Sequence, residues 1–190
     1  MASSFGILAA KRLSVMSVNL ILVIGGARSG KSRHAESLVA TTKPPWTYIA
    51  TAEAGDEEMA ARIKMHRQRR GSGWRSVEAP RELSSALAAN ATTPVLVDCL
   101  TLWLSNLMLA GADVDREIEH LEKALAAMKA PAVLVANEVG LGIVPEHPLG
   151  RQFRDRQGIL NQRMAARANR VILMVAGLPL VVKGGPEARL

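Results

Sequence analysis

The stretch that most constrains this chain is Gly25-Gly26-Ala27-Arg28-Ser29-Gly30-Lys31-Ser32, placed directly after the apolar run Leu20-Ile21-Leu22-Val23-Ile24. It fits the pattern G-x-x-x-x-G-K-[ST] without a gap. A buried strand leads in, and Arg33 to Ala40 reads as a helix leading out. A chance glycine- and serine-rich turn would not carry both flanks. A strand, a glycine-rich loop and a helix in this order belong to an α/β fold, with a mostly parallel sheet flanked by helices. The loop suits a polyphosphate, because its backbone N–H groups and the helix N-terminus meet negative charge. Gly25 and Gly30 supply backbone angles and close approach that a side chain would block. Lys31 is expected at the β- and γ-phosphates, and the Ser32 hydroxyl on Mg²⁺. These residues predict binding of a nucleoside triphosphate.

The remaining strands are expected at 47–51, 74–78, 95–98, 132–136 and 171–176, with a short one at 180–183. Helices are expected at 81–89, 100–109, 113–129 and 151–168. Asp56-Glu57-Glu58 opens a further helix whose apolar stripe holds Met59, Ile63 and His66. Val95-Leu96-Val97-Asp98 is a continuous apolar run ending in an acid, the pattern of a strand whose Asp positions Mg²⁺ or its water. The other reading of Asp98 is a cap for the next helix. Glu78 ends its strand either as a ribose or base contact or as a turn carboxylate. Asn137-Glu138 places polar groups at the same sheet edge, and Gly140 to Pro148 reads as an irregular loop. Cys99 reads as core rather than nucleophile, and His34, His120 and His147 show no metal-ligand spacing.

Hydrophobic residues make up 48% of the 190 and aromatics only 3%, so the core is aliphatic, as helices packed on a parallel sheet require. Residues 20–190 are expected as one domain. Residues 1–19 are expected as a disordered extension, since their apolar piece precedes Lys11 and Arg12, the reverse of a signal peptide. One cysteine excludes an intrachain disulfide and fits a reducing, cytoplasmic setting, and no apolar run reaches the ~18 residues of a membrane span. The net charge of +7 gathers in Arg62, Lys64, Arg67, Arg69, Arg70 and Arg75, with no acid from Ala60 to Ser76. That run serves an anionic substrate, a nucleic acid, or simply a wet helix face. Within it, His66 is either a core-facing histidine or a nucleophile forming a covalent nucleotidyl intermediate. The Asn-Lys-x-Asp signature of guanine specificity is absent, so the residues do not separate ATP from GTP.

The chain carries further motifs beyond the phosphate loop. They include Tyr48-Ile49-Ala50-Thr51, Arg62-Ile63 with His66, Val97-Asp98-Cys99-Leu100-Thr101-Leu102-Trp103-Leu104-Ser105-Asn106-Leu107, and Asn137-Glu138-Val139-Gly140 with Gly142-Ile143-Val144-Pro145. Gly150-Arg151, Phe153-Arg154-Asp155, Asn161-Gln162 and Ala176-Gly177-Leu178-Pro179-Leu180 complete the set. From Leu20 to about Lys183 the chain resembles the bifunctional adenosylcobinamide kinase/adenosylcobinamide-phosphate guanylyltransferases of cobalamin biosynthesis. The resemblance implies a RecA-like P-loop fold, a homotrimer, Mg²⁺ as cofactor, and no nucleic-acid partner. It also implies two reactions: phosphorylation of adenosylcobinamide with ATP or GTP, then transfer of GMP from GTP through a guanylylated histidine.

By that resemblance His66 is the guanylylated residue and Lys31 serves the kinase step. Gly25, Gly26, Ala27, Arg28, Ser29, Gly30, Lys31, Ser32, Thr51, Ala52, Glu53, Arg67, Gln68, Arg69, Arg70, Glu78 and Asp98 are then nucleotide-contacting positions. Ser32 and Asp98 serve Mg²⁺, directly or through water. Some relatives carry two adjacent histidines where this chain has Met65-His66, and Ala52-Glu53 replaces an expected Ser-Gln. Two alternatives remain beside this reading: a small-molecule kinase without nucleotidyl transfer, and a basic P-loop ATPase associated with nucleic acid.

Overall fold

A computed structural model describes residues 19–53 and 71–185. The expected extension up to residue 18 and the expected helix carrying Met59, Ile63 and His66 lie outside the described residues.

Among the described residues seven strands form a single sheet. In chain order they are β1 (Leu20–Gly25), β2 (Trp46–Ala50), β3 (Trp74–Glu78), β4 (Val95–Asp98), β5 (Ala132–Asn137), β6 (Arg170–Val175) and β7 (Leu178–Lys183). Their spatial order is β3-β2-β4-β5-β1-β6-β7. All neighbours pair parallel except β6 and β7, which are antiparallel. Because β5 lies between β1 and β4, the phosphate-loop strand and the strand ending in Asp98 are one strand apart. This is the α/β P-loop architecture expected from the sequence.

Five helices lie among the described residues: α1 (Lys31–Val39), α2 (Leu83–Ala89), α3 (Leu100–Leu109), α4 (Val114–Ala126) and α5 (Pro148–Arg167). The strands alternate buried side chains between two apolar clusters, one on each face of the sheet. On one face Leu22, Val97 and Leu134 pack with Trp103 of α3, Ile118 of α4 and Leu160 of α5. On the other, Ile21, Val133 and Val135 pack against Ala35 and Val39 of α1. Both faces of β1, β4 and β5 are therefore covered, which is why these strands read as unbroken apolar runs.

Several element edges differ from expectation by up to three residues. Helix α5 begins at Pro148, not Arg151, with the proline in its first turn, where a missing N–H costs nothing. Strand β6 stops at Val175, and Ala176 (φ 50°) and Gly177 (φ 85°) form a two-residue turn into β7. Positive φ at both central positions matches the right-handed twist of a hairpin. Every residue of β7 is exposed, and Pro179 is tolerated there because β7 is the sheet's edge. Among the described residues no helix is long and apolar enough to cross a membrane.

Candidate active site

The parallel strands bring their C-terminal ends to one edge of the sheet, where ligands of such folds bind. Register makes the juxtaposition specific. Ala50 of β2 pairs with Glu78 of β3 on one side and with Asp98 of β4 on the other. Glu78, Ala50 and Asp98 thus form one row across three strands. Val77 and Val97 belong to the cluster opposite α1, so alternation puts Glu78 and Asp98 on the face that α1 covers.

The phosphate loop leaves the same edge. Gly25 ends β1 with φ 153°, and a Cβ there would sit 2.5 Å from the Met174 carbonyl oxygen of β6. Gly30 is left-handed at φ 91° and precedes the first turn of α1. Both glycines are demanded by backbone geometry, as expected. The loop is braced from outside by the β6–β7 turn, where Gly177 N–H donates to Ser29 O at 3.2 Å. Ser29 Oγ is buried and has no hydrogen-bond partner among the described residues. An orphaned hydroxyl inside a cradle of backbone donors fits an anionic ligand.

Lys31 is 7% exposed, and its Nζ donates to Gly26 O at 2.5 Å, so the ammonium is folded over its own loop. Burial lowers its pKa, and the nearby Cys99 and Asp98 oppose that shift. Of these two, the thiol is pushed up to about 11, first by burial and then by the Asp98 charge. Below that pH it is neutral, leaving Asp98 as the standing counter-charge. A buried, protonated thiol is a poor nucleophile, so Cys99 is core, in line with the sequence.

Asp98 is held by the sheet itself. Tyr48 Oη donates to Asp98 Oδ2 at 2.9 Å. Thr51 is fully buried; its Oγ1 donates to Cys99 O at 2.6 Å and accepts from Cys99 N–H at 2.8 Å. Asn106 of α3 donates from Nδ2 to Thr51 O at 2.8 Å and to Pro80 O at 3.0 Å. The ends of β2 and β4 and the loop after β3 are tied together by these contacts. Thr51 therefore shapes the edge through its bonds to Cys99. Ala52 is half-buried, and exposed Glu53 lies 3.9 Å from Arg81.

The structure thus gathers Gly25 through Ser32, Thr51, Glu78 and Asp98 along one edge. His66, Arg67, Gln68, Arg69 and Arg70 lie outside the described residues. Among the described residues no group of three or more His, Cys, Asp or Glu is placed to hold a metal. The hard oxygens of Ser32 and Asp98 suit Mg²⁺, which typically takes one or two protein ligands and completes its shell with phosphate and water. Sequence reading gave no individual role to Tyr48, Thr101, Asn106 or Gly177. The available signal was Thr101, Ser105 and Asn106, polar residues in the otherwise apolar helix α3.

Comparison with known proteins agrees with this geometry. The family described as cobinamide kinase/cobinamide phosphate guanyltransferase matches residues 21–182. The bifunctional adenosylcobalamin biosynthesis protein CobP of Pseudomonas aeruginosa is 48% identical over 169 residues, covering 87% of this chain and 98% of its own length. CobU of Salmonella typhimurium, named as a bifunctional protein of the same biosynthesis, is 43% identical over 181 residues, 86% of this chain and 99% of its own. A solved protein of Pyrococcus horikoshii OT3 has the same fold at a TM-score of 0.52, with 9% identity, over 90% of this chain and 89% of its own. On the extent of the family match and the identity to these relatives, the chain belongs to the cobinamide kinase/cobinamide phosphate guanyltransferase family.

Proposed function

We propose that this protein phosphorylates adenosylcobinamide with ATP or GTP and then transfers GMP from GTP to the phosphate, giving adenosylcobinamide-GDP. The observation that carries this reading is the phosphate loop and Asp98 at one sheet edge in a chain with family likeness over residues 21–182.

In the first reaction the aminopropanol hydroxyl attacks the γ-phosphorus. Backbone N–H groups of the loop and the Lys31 ammonium hold the phosphates and stabilise charge on the group in flight. Ser32 and Asp98 would hold Mg²⁺, which supplies further neutralisation of the phosphate oxygens when bound. Tyr48 keeps the Asp98 carboxylate fixed in orientation. In the second reaction His66 attacks the α-phosphorus of GTP with pyrophosphate leaving. The cobinamide phosphate oxygen then displaces the imidazole, which is returned unmodified. Attack requires the neutral imidazole, with Arg67, Arg69 and Arg70 assigned to the nucleotide. Glu78, on the Asp98 row, is assigned to the nucleoside end of the ligand.

The active assembly is taken as a homotrimer. In support, β7 leaves Leu178, Leu180 and Val182 exposed at 71%, 56% and 61% on an edge strand, a surface that an isolated chain would rarely leave bare.

The test is turnover of adenosylcobinamide with GTP and Mg²⁺, followed by mass spectrometry. The reading requires one added phosphate and then one added GMP. Unchanged corrinoid with a folded, nucleotide-bound protein would overturn it.

A further inference from the structure

We propose that Asn137 contacts the transferred γ-phosphoryl group, and that Thr101 and Asn161 are positioning residues that hold it there. This rests on the nucleotide-site reading above.

Asn137 is the last residue of β5, the strand between the phosphate-loop strand and the Asp98 strand. Its register partner on β1 is Gly25, where the phosphate loop begins. Asp98 pairs with Val135, two residues earlier on β5. Val133 and Val135 pack in the α1 cluster, so alternation puts Asn137 on that same face with Asp98. The half-buried Asn137 amide is thus the polar side chain that β5 brings between the loop and Asp98.

Both backbone groups of Asn137 are captured by side chains from separate helices. Its N–H donates to Thr101 Oγ1 at 2.7 Å, from α3. Its carbonyl accepts from Asn161 Nδ2 at 3.1 Å, from α5. A carbonyl can only accept, so this contact fixes the orientation of the Asn161 amide. Asn161 Oδ1 is then left to accept, and Gln157 Nε2 donates to it at 2.8 Å. Gln157 is fully buried, and its Oε1 has no hydrogen-bond partner among the described residues. A leucine there would leave no buried oxygen unsatisfied. A polar relay retained at that cost, ending on one strand-end residue beside Gly25, specifies where that residue sits. The next residue is fixed too, since Glu138 N–H donates to Gly25 O at 3.0 Å.

The chemistry follows from the position. As the substrate hydroxyl oxygen bonds to the γ-phosphorus, the bond to the β–γ bridging oxygen breaks. The nucleoside diphosphate leaves, and the hydroxyl proton passes to solvent. Charge spreads over the equatorial phosphoryl oxygens, and the Asn137 side-chain amide donates from Nδ2 to one of them. GMP transfer reacts at the α-phosphorus, so the amide matters less there.

The test is steady-state phosphorylation of adenosylcobinamide by Asn137→Ala, Asn137→Asp and Thr101→Val, alongside labelling of the protein by α-labelled GTP. The Ala and Asp variants are expected to lose at least roughly tenfold in kcat with a much smaller change in nucleotide KM, the pattern of an interaction made mainly in the transition state. Protein labelling is expected to fall far less. Asn137→Asp keeps the residue's shape, so it reports even if the Ala variant folds poorly. Thr101→Val should give a smaller loss in the same direction. Wild-type kcat in both Asn137 variants would overturn the proposal. A wild-type protein that neither binds nucleotide nor phosphorylates the corrinoid would instead overturn the functional reading beneath it.

Discussion

Tyr48 and Asp98 sit on adjacent parallel strands, and the phenol donates to Asp98 Oδ2 at 2.9 Å. The carboxylate at the end of β4 is thus aimed by a side chain of β2, two positions before the end of that strand. Tyr48→Phe removes this donor and keeps the ring. It is expected to destabilise the fold by about 1 kcal/mol and slow phosphorylation roughly fivefold. Urea denaturation and kcat measured on the same preparation check both values.

Lys31 gives a prediction of opposite sign for stability and activity. Burial lowers its pKa below that of the unfolded chain, so at neutral pH the folded, nucleotide-free protein bears the cost of a buried cation. That cost is present below the folded-state pKa and is relieved as pH rises past the ordinary lysine value of 10.5. Lys31→Met is therefore expected to leave the nucleotide-free protein at least as stable as wild type at pH 7. Its phosphorylation rate is expected to fall by about two orders of magnitude or more. Thermal melts without nucleotide and turnover with it separate the two effects.

Away from the site, Glu122 fastens α4 to α5. Its two oxygens accept from Arg163 Nε and Nη2, each at 2.8 Å, and Oε2 also accepts from Arg167 at 2.8 Å. The Arg163 contacts foremost, opposed by burial and aided by Arg167, hold the carboxyl at about 2. The stabilisation is present above the unfolded value of 4.5 and is lost as pH falls through about 2. Glu122→Gln is expected to cost about 1–3 kcal/mol at pH 7, a penalty that shrinks across that acid window. Denaturation at several pH values reads it.

The exposed stripe of β7 predicts the consequence of charging the edge. Leu180→Lys together with Val182→Lys is expected to dissociate the proposed trimer into folded monomers. Sedimentation velocity resolves the two species, and an unchanged trimer would place the interface elsewhere.

Much of this architecture was legible because local signals agreed. The apolar run before Gly25 and the helix after it fixed the phosphate loop, and the unbroken run to Asp98 placed the other half of the site. The β6–β7 turn was less legible, because an alanine at φ 50° gives no sequence cue and the following Pro179 reads as a break. The relay from Gln157 through Asn161 to Asn137 was not legible at all. It joins residues 24 apart between Asn161 and Asn137 and 36 apart between Thr101 and Asn137. No local periodicity reports an amide that meets a backbone across the fold. Thr101 and Asn106 stood out as polar residues on a buried helix, but only the register of β2, β4 and β5 reveals what they hold.

The central claim is that one phosphate-binding edge serves both reactions, with His66 carrying the GMP. The most direct measurement incubates the protein with Mg²⁺ and GTP labelled at the α- or the γ-phosphate, without corrinoid, and follows label on denatured wild type and His66→Ala. The account predicts acid-labile label from the α-position only, absent in His66→Ala, while that variant still phosphorylates adenosylcobinamide. Label from the γ-position, or label retained by a folded His66→Ala protein, would contradict it.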